Sequence, residues 1–131
     1  MDNKFKEIVN IVDHLYTTIV VHWVESISNN CEEQYLSDLE NLVSDYGKMP
    51  TVKTFGEYFY DKNRPNTPEE IVPKILQITE SLRNDILEQW LDCIRCKTED
   101  DFLKTFEDVI QDFGTELTKE MFKQYKEKGG K

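Results

Sequence analysis

Residues 8–47 of this chain are written a second time at 75–114, at a constant offset of 67 and without a gap. Ile8, Ile11, Leu15, Ile19, Trp23 and Ile27 match Ile75, Ile78, Leu82, Ile86, Trp90 and Ile94. Glu32, Leu36, Glu40, Asp45 and Gly47 match Glu99, Leu103, Glu107, Asp112 and Gly114. The matched apolar residues recur every three or four positions, the period of one helix face. A helix-period pattern repeated after a fixed interval predicts one helical hairpin used twice. It constrains architecture and leaves the chemistry open.

The chain has 131 residues, enough for one domain (1–131) with a buried core and no need of disulfides or metal. Its apolar fraction is 38%, and the tight patterning separates it from a disordered chain. The net charge is −10, shared as −5 over 1–66 and −5 over 67–131. Without a cluster of Lys or Arg, phosphate backbones and anionic membranes are poor partners. The apolar runs at 19–24 and 71–78 are too short to span a bilayer, and no signal peptide opens the chain, so export is not indicated. Three cysteines, an odd number, fit reduced thiols in a cytoplasm.

The pattern predicts a first helix over about 3–28, broken by Asn29-Asn30, and a second over about 32–46. Gly47 stands where a left-handed C-cap is expected. The connector 48–66 holds Phe55, Tyr58, Phe59 and Tyr60, with a short helix over about 53–61. Thr67-Pro68-Glu69-Glu70 reads as a helix start, with Pro73 a reason for the helix to start twice and run regularly over 72–96. Thr98-Glu99-Asp100-Asp101 begins another, whose helical spacing continues through Leu117, Met121 and Tyr125 to about 127. No strand pattern remains, and the expected class is all-α.

Few constellations suggest chemistry. His14 and His22, the two histidines, lie about 80° apart around one helix at 100° per residue. Cys31, Cys93 and Cys96 are too far from them in sequence to make a zinc site by spacing. Cys93-x-x-Cys96 falls at a helix C-terminus, where the dipole disfavours a reactive thiolate, so structural cysteines are expected. Asp112-Phe113-Gly114 lacks every other part of a kinase. No nucleophile–base pair can be named, so the chain does not read as an enzyme.

Two features remain. Trp23 and Trp90 occupy matching positions, either as core residues or as walls of an apolar ligand cavity. The aromatic connector is either a plug on the core or a lid whose Tyr58 hydroxyl meets a ligand head group. Arg83 and His22, polar groups inside apolar stretches, extend that idea toward an anion.

The segments Ile-Val-Val-His-Trp-Val-Glu-Ser-Ile (19–27), Ser-Leu-Arg-Asn-Asp-Ile-Leu-Glu-Gln-Trp-Leu-Asp-Cys-Ile (81–94) and the closing Phe122-x-x-Tyr125 resemble a known family. They are similar to the non-haem globin sensor domains at the N-terminus of RsbR-type stressosome proteins and of some sporulation histidine kinases. A domain of this length without an output module looks most like the free-standing, plasmid-encoded sporulation-inhibition proteins of the anthrax group of Bacillus. The resemblance implies a single globin-like helical bundle without haem, pairing as a homodimer, with a fatty acid in place of the cofactor. The last 109 residues contain no histidine to serve as a proximal haem ligand. Carried onto this chain, the resemblance implies an acyl chain between the helices of Trp23 and Trp90, walled by Leu82, Ile86, Phe106 and Ile110. Its carboxylate would be met by Arg83, His22 or Tyr58. The implied role is inhibition of sporulation signalling by competition with a sensor kinase for signal or partner. The alternative is a helical protein–protein adaptor or inhibitor with no small-molecule ligand.

Overall fold

The computed structural model describes residues 2–61, 63 and 68–129. Over these the chain forms six helices and no strand: α1 (Asp2–Ser28), α2 (Glu32–Tyr46), α3 (Met49–Phe59), α4 (Pro68–Arg95), α5 (Glu99–Phe113) and α6 (Glu116–Gly129). The expected all-α class is what forms. Thr67, read as an N-cap, lies outside the described residues. Pro73 does not divide α4, which is one helix. The proline falls near its N-terminus and removes a single bond, the one to the Glu69 carbonyl.

The repeat is longer than the hairpin read from sequence. The end of α1, both ends of α2 and the start of α3 recur at offset 67: Ser28/Arg95, Glu32/Glu99, Tyr46/Phe113 and Met49/Glu116. Three further identities fall in the third helix of each set, Thr51/Thr118, Phe55/Phe122 and Tyr58/Tyr125. The repeated unit is therefore a three-helix segment, and the supposed connector contains its last member. The single helix expected from Glu99 to about 127 is likewise two helices. Gly114 is extended (φ −89°, ψ 156°) and breaks the run. After the break the buried face is Thr118, Phe122 and Tyr125, while Leu117 is 57% exposed.

Gly47 does not adopt the left-handed cap expected of it. It is extended (φ −80°, ψ 145°), like its counterpart Gly114. Glycine stands at both places because of close approach. A Cβ on Gly114 would sit 2.7 Å from the Ile110 carbonyl oxygen and 2.9 Å from the Thr118 Cβ. On Gly47 it would sit 2.7 Å from the Val43 oxygen. Among the described residues the left-handed ones are Asn30 (φ 59°) and Lys97 (φ 61°), again 67 apart. Each closes a Schellman motif. Cys31 N–H donates to Ser26 O (2.8 Å) and Asn30 N–H to Ile27 O (3.2 Å). Thr98 N–H donates to Cys93 O and Lys97 N–H to Ile94 O at the same distances.

The chain divides into two compact units, and neither coincides with a repeat. Val20–Ile86 makes one, and Met1–Ile19 with Leu87–Lys131 makes the other. In the contiguous unit α2 packs on α3, burying Trp23, Leu36, Leu39, Val43, Phe55 and Tyr58 together with Ile71–Ile86 of the α4 stripe. In the discontinuous unit α5 packs on α6, burying Trp90, Phe106, Ile110, Phe122 and Tyr125, and the stripe Ile8, Ile11, Leu15 and Ile19 of α1.

Two substitutions check this account of the turns. Lys97→Gly relieves a left-handed side chain and is expected to stabilise by about 1 kcal/mol. Gly114→Ala is expected to destabilise by about 1–3 kcal/mol through overpacking against backbone and a buried threonine. Urea denaturation of each variant beside the parent measures both signs.

Candidate functional site

The most organised polar group in each unit is a glutamate at the first residue of a helix, clamped by a tryptophan and a tyrosine. In the contiguous unit the α1 stripe carries Trp23 inward, α2 opens on Glu32, and the C-terminal turn of α3 supplies Tyr58. The Trp23 indole N–H donates to Glu32 Oε2 at 2.9 Å, and the Tyr58 hydroxyl donates to the same oxygen at 2.6 Å. Trp23 is fully buried and packs against Tyr35, Phe55 and Tyr58, with ring centroids 5.7–6.5 Å apart.

The discontinuous unit repeats this arrangement from residues 67 positions on. Trp90 N–H donates to Glu99 Oε2 at 2.8 Å, and the Tyr125 hydroxyl donates to that oxygen as well. Trp90 meets Phe102, Phe106, Phe122 and Tyr125 at 5.4–6.3 Å. Here Lys4 adds an ion pair to Glu99 Oε1 at 3.2 Å and lies 6.0 Å from the Tyr125 ring centre. Burial alone would push the Glu99 carboxyl up. Hydrogen bonds from Tyr125, Trp90 and Lys4 outweigh it and hold the group below its ordinary range. Burial first, then the bond to Glu99, pushes the Tyr125 phenol well above its ordinary range. Both carboxylates also sit in the first turn of a helix, where the dipole favours negative charge.

A second pair of contacts fastens the start of α3 and α6. Asp85, 8% exposed on α4, accepts from Lys48 N–H (2.8 Å) and from the Thr51 hydroxyl (2.6 Å). Because Thr51 has one proton and gives it to Asp85, the Ser81 hydroxyl 2.5 Å away must donate to Thr51. At the matching place Thr118, fully buried, meets His14 Nδ1 at 2.6 Å, and the Thr115 N–H donates back to Thr118 Oγ1 at 3.2 Å. Asp85 thus acts as a cap delivered from another helix, a role the sequence reading did not assign.

The nine residues singled out from sequence divide between the units. Trp23, Tyr58, Leu82, Ile86, Arg83 and His22 belong to the contiguous one; Trp90, Phe106 and Ile110 belong to the other. Both tryptophans, Leu82, Ile86, Phe106 and Ile110 are at most 2% exposed, as core residues are. The Tyr58 hydroxyl engages Glu32. Arg83 is half-buried and donates to Asn84 Oδ1 at 2.7 Å, and His22 is half-buried. Cys31 and Cys96 are exposed thiols and Cys93 is partly covered. Among the described residues no group of three or more His, Cys, Asp or Glu is placed to hold a metal ion, and no helix is long and apolar enough to cross a membrane. The two surface grooves along α5 and α6, about 360 and 390 Å³, are lined mainly by charged side chains and share Glu107 and Lys126. No family model, curated protein or solved structure matches this chain.

The arrangement can position helices, one oxygen of each carboxylate accepting from both an indole and a phenol. Removing either acceptor strands an indole N–H and a phenol, at about 1–3 kcal/mol for each buried donor left unmet. Glu32→Ala and Glu99→Ala are each expected to lower unfolding free energy by roughly 2–4 kcal/mol on that basis, read in urea melts by tryptophan fluorescence. Glu99 also predicts an acid limb. Its folded pKa is depressed. Its contribution is therefore present above the ordinary glutamate value of about 4.3 and is lost as pH falls through the folded value. Stability measured between neutral and acid pH should fall in that window, and Glu99→Gln should flatten the fall.

Proposed function

We propose that this chain is a non-catalytic regulatory domain that works by binding. One observation supports this above others: the glutamates that the two repeats share at the start of their second helix are engaged in holding helices. Glu32 and Glu99 each accept from a tryptophan and a tyrosine. Catalytic carboxylates, by contrast, need an accessible proton or lone pair directed at substrate.

The finer reading is a globin-like sensor domain without haem, similar to the RsbR-type and sporulation-kinase sensor domains. In it a fatty-acid-like chain lies against the buried apolar side chains of α1 and α4, and the free domain inhibits sporulation signalling by competing with a sensor histidine kinase for signal or partner. Support comes from where the resembling segments fall. The two tryptophan-bearing stretches are on the two longest helices, of 27 and 28 residues, and Phe122-x-x-Tyr125 is on α6. Leu82 and Ile86 in one unit, and Phe106 and Ile110 in the other, are buried apolar side chains of the kind an acyl chain packs against.

A second reading, a helical adaptor or inhibitor with no small-molecule ligand, is favoured by the packing of the tryptophans. Each indole is surrounded by aromatic rings of its own unit, without calling on a ligand. Mass spectrometry of a solvent extract from natively purified protein separates the two. A co-purified fatty acid near one per chain is the result expected of the sensor, and a lipid-free, fully folded protein supports the adaptor. Titration with haemin should give no Soret band; a sharp one would overturn the non-haem assignment.

A further inference from the structure

The duplication provides an internal comparison for every exposed helix face. Helix α3 turns Thr51, Phe55 and Tyr58 inward, and α6 turns their counterparts Thr118, Phe122 and Tyr125 inward. The outward faces differ completely. On α6 the positions are Glu116, Lys119, Lys123 and Lys126, the charged surface that a solvated helix is expected to show. On α3 the same four positions are Met49, Val52, Gly56 and Phe59. They recur at i, i+3, i+7 and i+10, the spacing of a helix–helix seam. Met49 is 77% exposed, Val52 and Phe59 are half-buried, and Tyr60, just beyond, is 69% exposed.

Gly56 sharpens the contrast. It lies inside a helix, where glycine is less favourable than alanine, and its backbone does not have a positive φ. Among the described residues no atom beyond its chain neighbours and the adjoining backbone of its own helix comes within 4 Å of where its Cβ would be. Nothing in its surroundings therefore requires glycine. A missing side chain on an outward apolar seam is what lets a second helix backbone come close.

We propose that this face of α3 is the surface on which two copies of the chain pair, antiparallel about a two-fold axis near Gly56. The charge pattern selects a second copy. In a chain of net charge −10, α2 carries five acidic residues and no basic one, and α5 six acidic residues against one lysine, so those faces repel their own kind. Helix α3 has one lysine, Lys53, and one glutamate, Glu57, and is neutral. Both are exposed and flank Gly56, so an antiparallel pair sets Lys53 of each copy opposite Glu57 of the other. A two-fold contact also brings glycine against glycine, so one small residue in the sequence accounts for close approach of both helices. An 11-residue helix buries little area, which places the association in the weak, micromolar class.

Sedimentation of the full chain across the micromolar range tests this. The parent should dimerise. Met49→Glu/Val52→Lys/Gly56→Lys, which writes three of the four α6 residues onto α3, should remain monomeric with unchanged circular dichroism. Gly56→Ala should move two readouts in opposite directions: Tm of the dilute monomer rises, while pairing weakens by about tenfold or more as expected of a central contact. Glu57→Lys should weaken pairing, and adding Lys53→Glu should restore it. A parent that stays monomeric overturns the proposal, as does a triple variant that still dimerises. Gly56→Ala pairing as well as the parent overturns it too.

Discussion

A carboxylate at the first residue of a helix, accepting one hydrogen bond from an indole and one from a phenol, fixes three helices at once. Burying each tryptophan supplies on the order of 2–3 kcal/mol of apolar stabilisation, more than any single hydrogen bond contributes net. Apolar burial has no direction, however, and a ring can slide along a helix stripe at little loss. The glutamate removes that freedom. Trp23 and Tyr58 meet on one oxygen of Glu32, and Trp90 and Tyr125 on one oxygen of Glu99. Leaving the carboxylate unpaired would cost more than the bonds add, so the position of the three helices is strongly specified.

The two copies of the clamp have diverged at their edges. Lys4 makes an ion pair with Glu99. The ring beside each tryptophan is Tyr35 in one unit and Phe102 in the other. At the start of the third helix Ser81 on Thr51 is matched by His14 on Thr118, an imidazole where the other copy has a hydroxyl, while the buried carboxylate Asp85 has Thr18 in its place. What stays constant is a threonine at the helix start and a polar partner from a neighbouring long helix. The architecture tolerates different donors and acceptors so long as each buried group is met.

Much of the fold was legible in the residues. The helix period of the apolar stripes, the Asn29-Asn30 break and the acid-rich helix starts place α1, α2 and the start of α5 nearly to the residue. The errors share a cause: local signals were read without the repeat. Gly47 read alone suggests a left-handed cap, yet its pairing with Gly114 marks a close approach, and Asn30 pairs with Lys97, a residue with no left-handed preference to announce it. Helical spacing beyond Phe113 hid the break at Gly114, although Thr51/Thr118, Phe55/Phe122 and Tyr58/Tyr125 continue the match. Of the clamp, Trp23/Trp90 and Glu32/Glu99 stood out as identities, but partnership between a tryptophan and a glutamate nine residues on depends on the turn between them. Asp85 was visible as an acid in the apolar stripe of Ile78, Leu82 and Ile86, and only the three-dimensional arrangement shows it capping α3.

The interleaved units also bear on how the chain is made. Residues 20–86 follow one another without interruption, so that unit is complete in sequence well before synthesis ends. The other begins with residues 1–19 and finishes only with 87–131. Its first stripe, Ile8, Ile11, Leu15 and Ile19, leaves the ribosome long before the aromatic residues of α5 and α6 that share its core exist. Those apolar residues must wait until residues 87–131 have been made, the interval in which exposed stripes aggregate or engage chaperones. The acidic and basic residues distributed along the same helix, Lys4, Lys6, Glu7 and Asp13, give the nascent segment a charged face to present to water meanwhile.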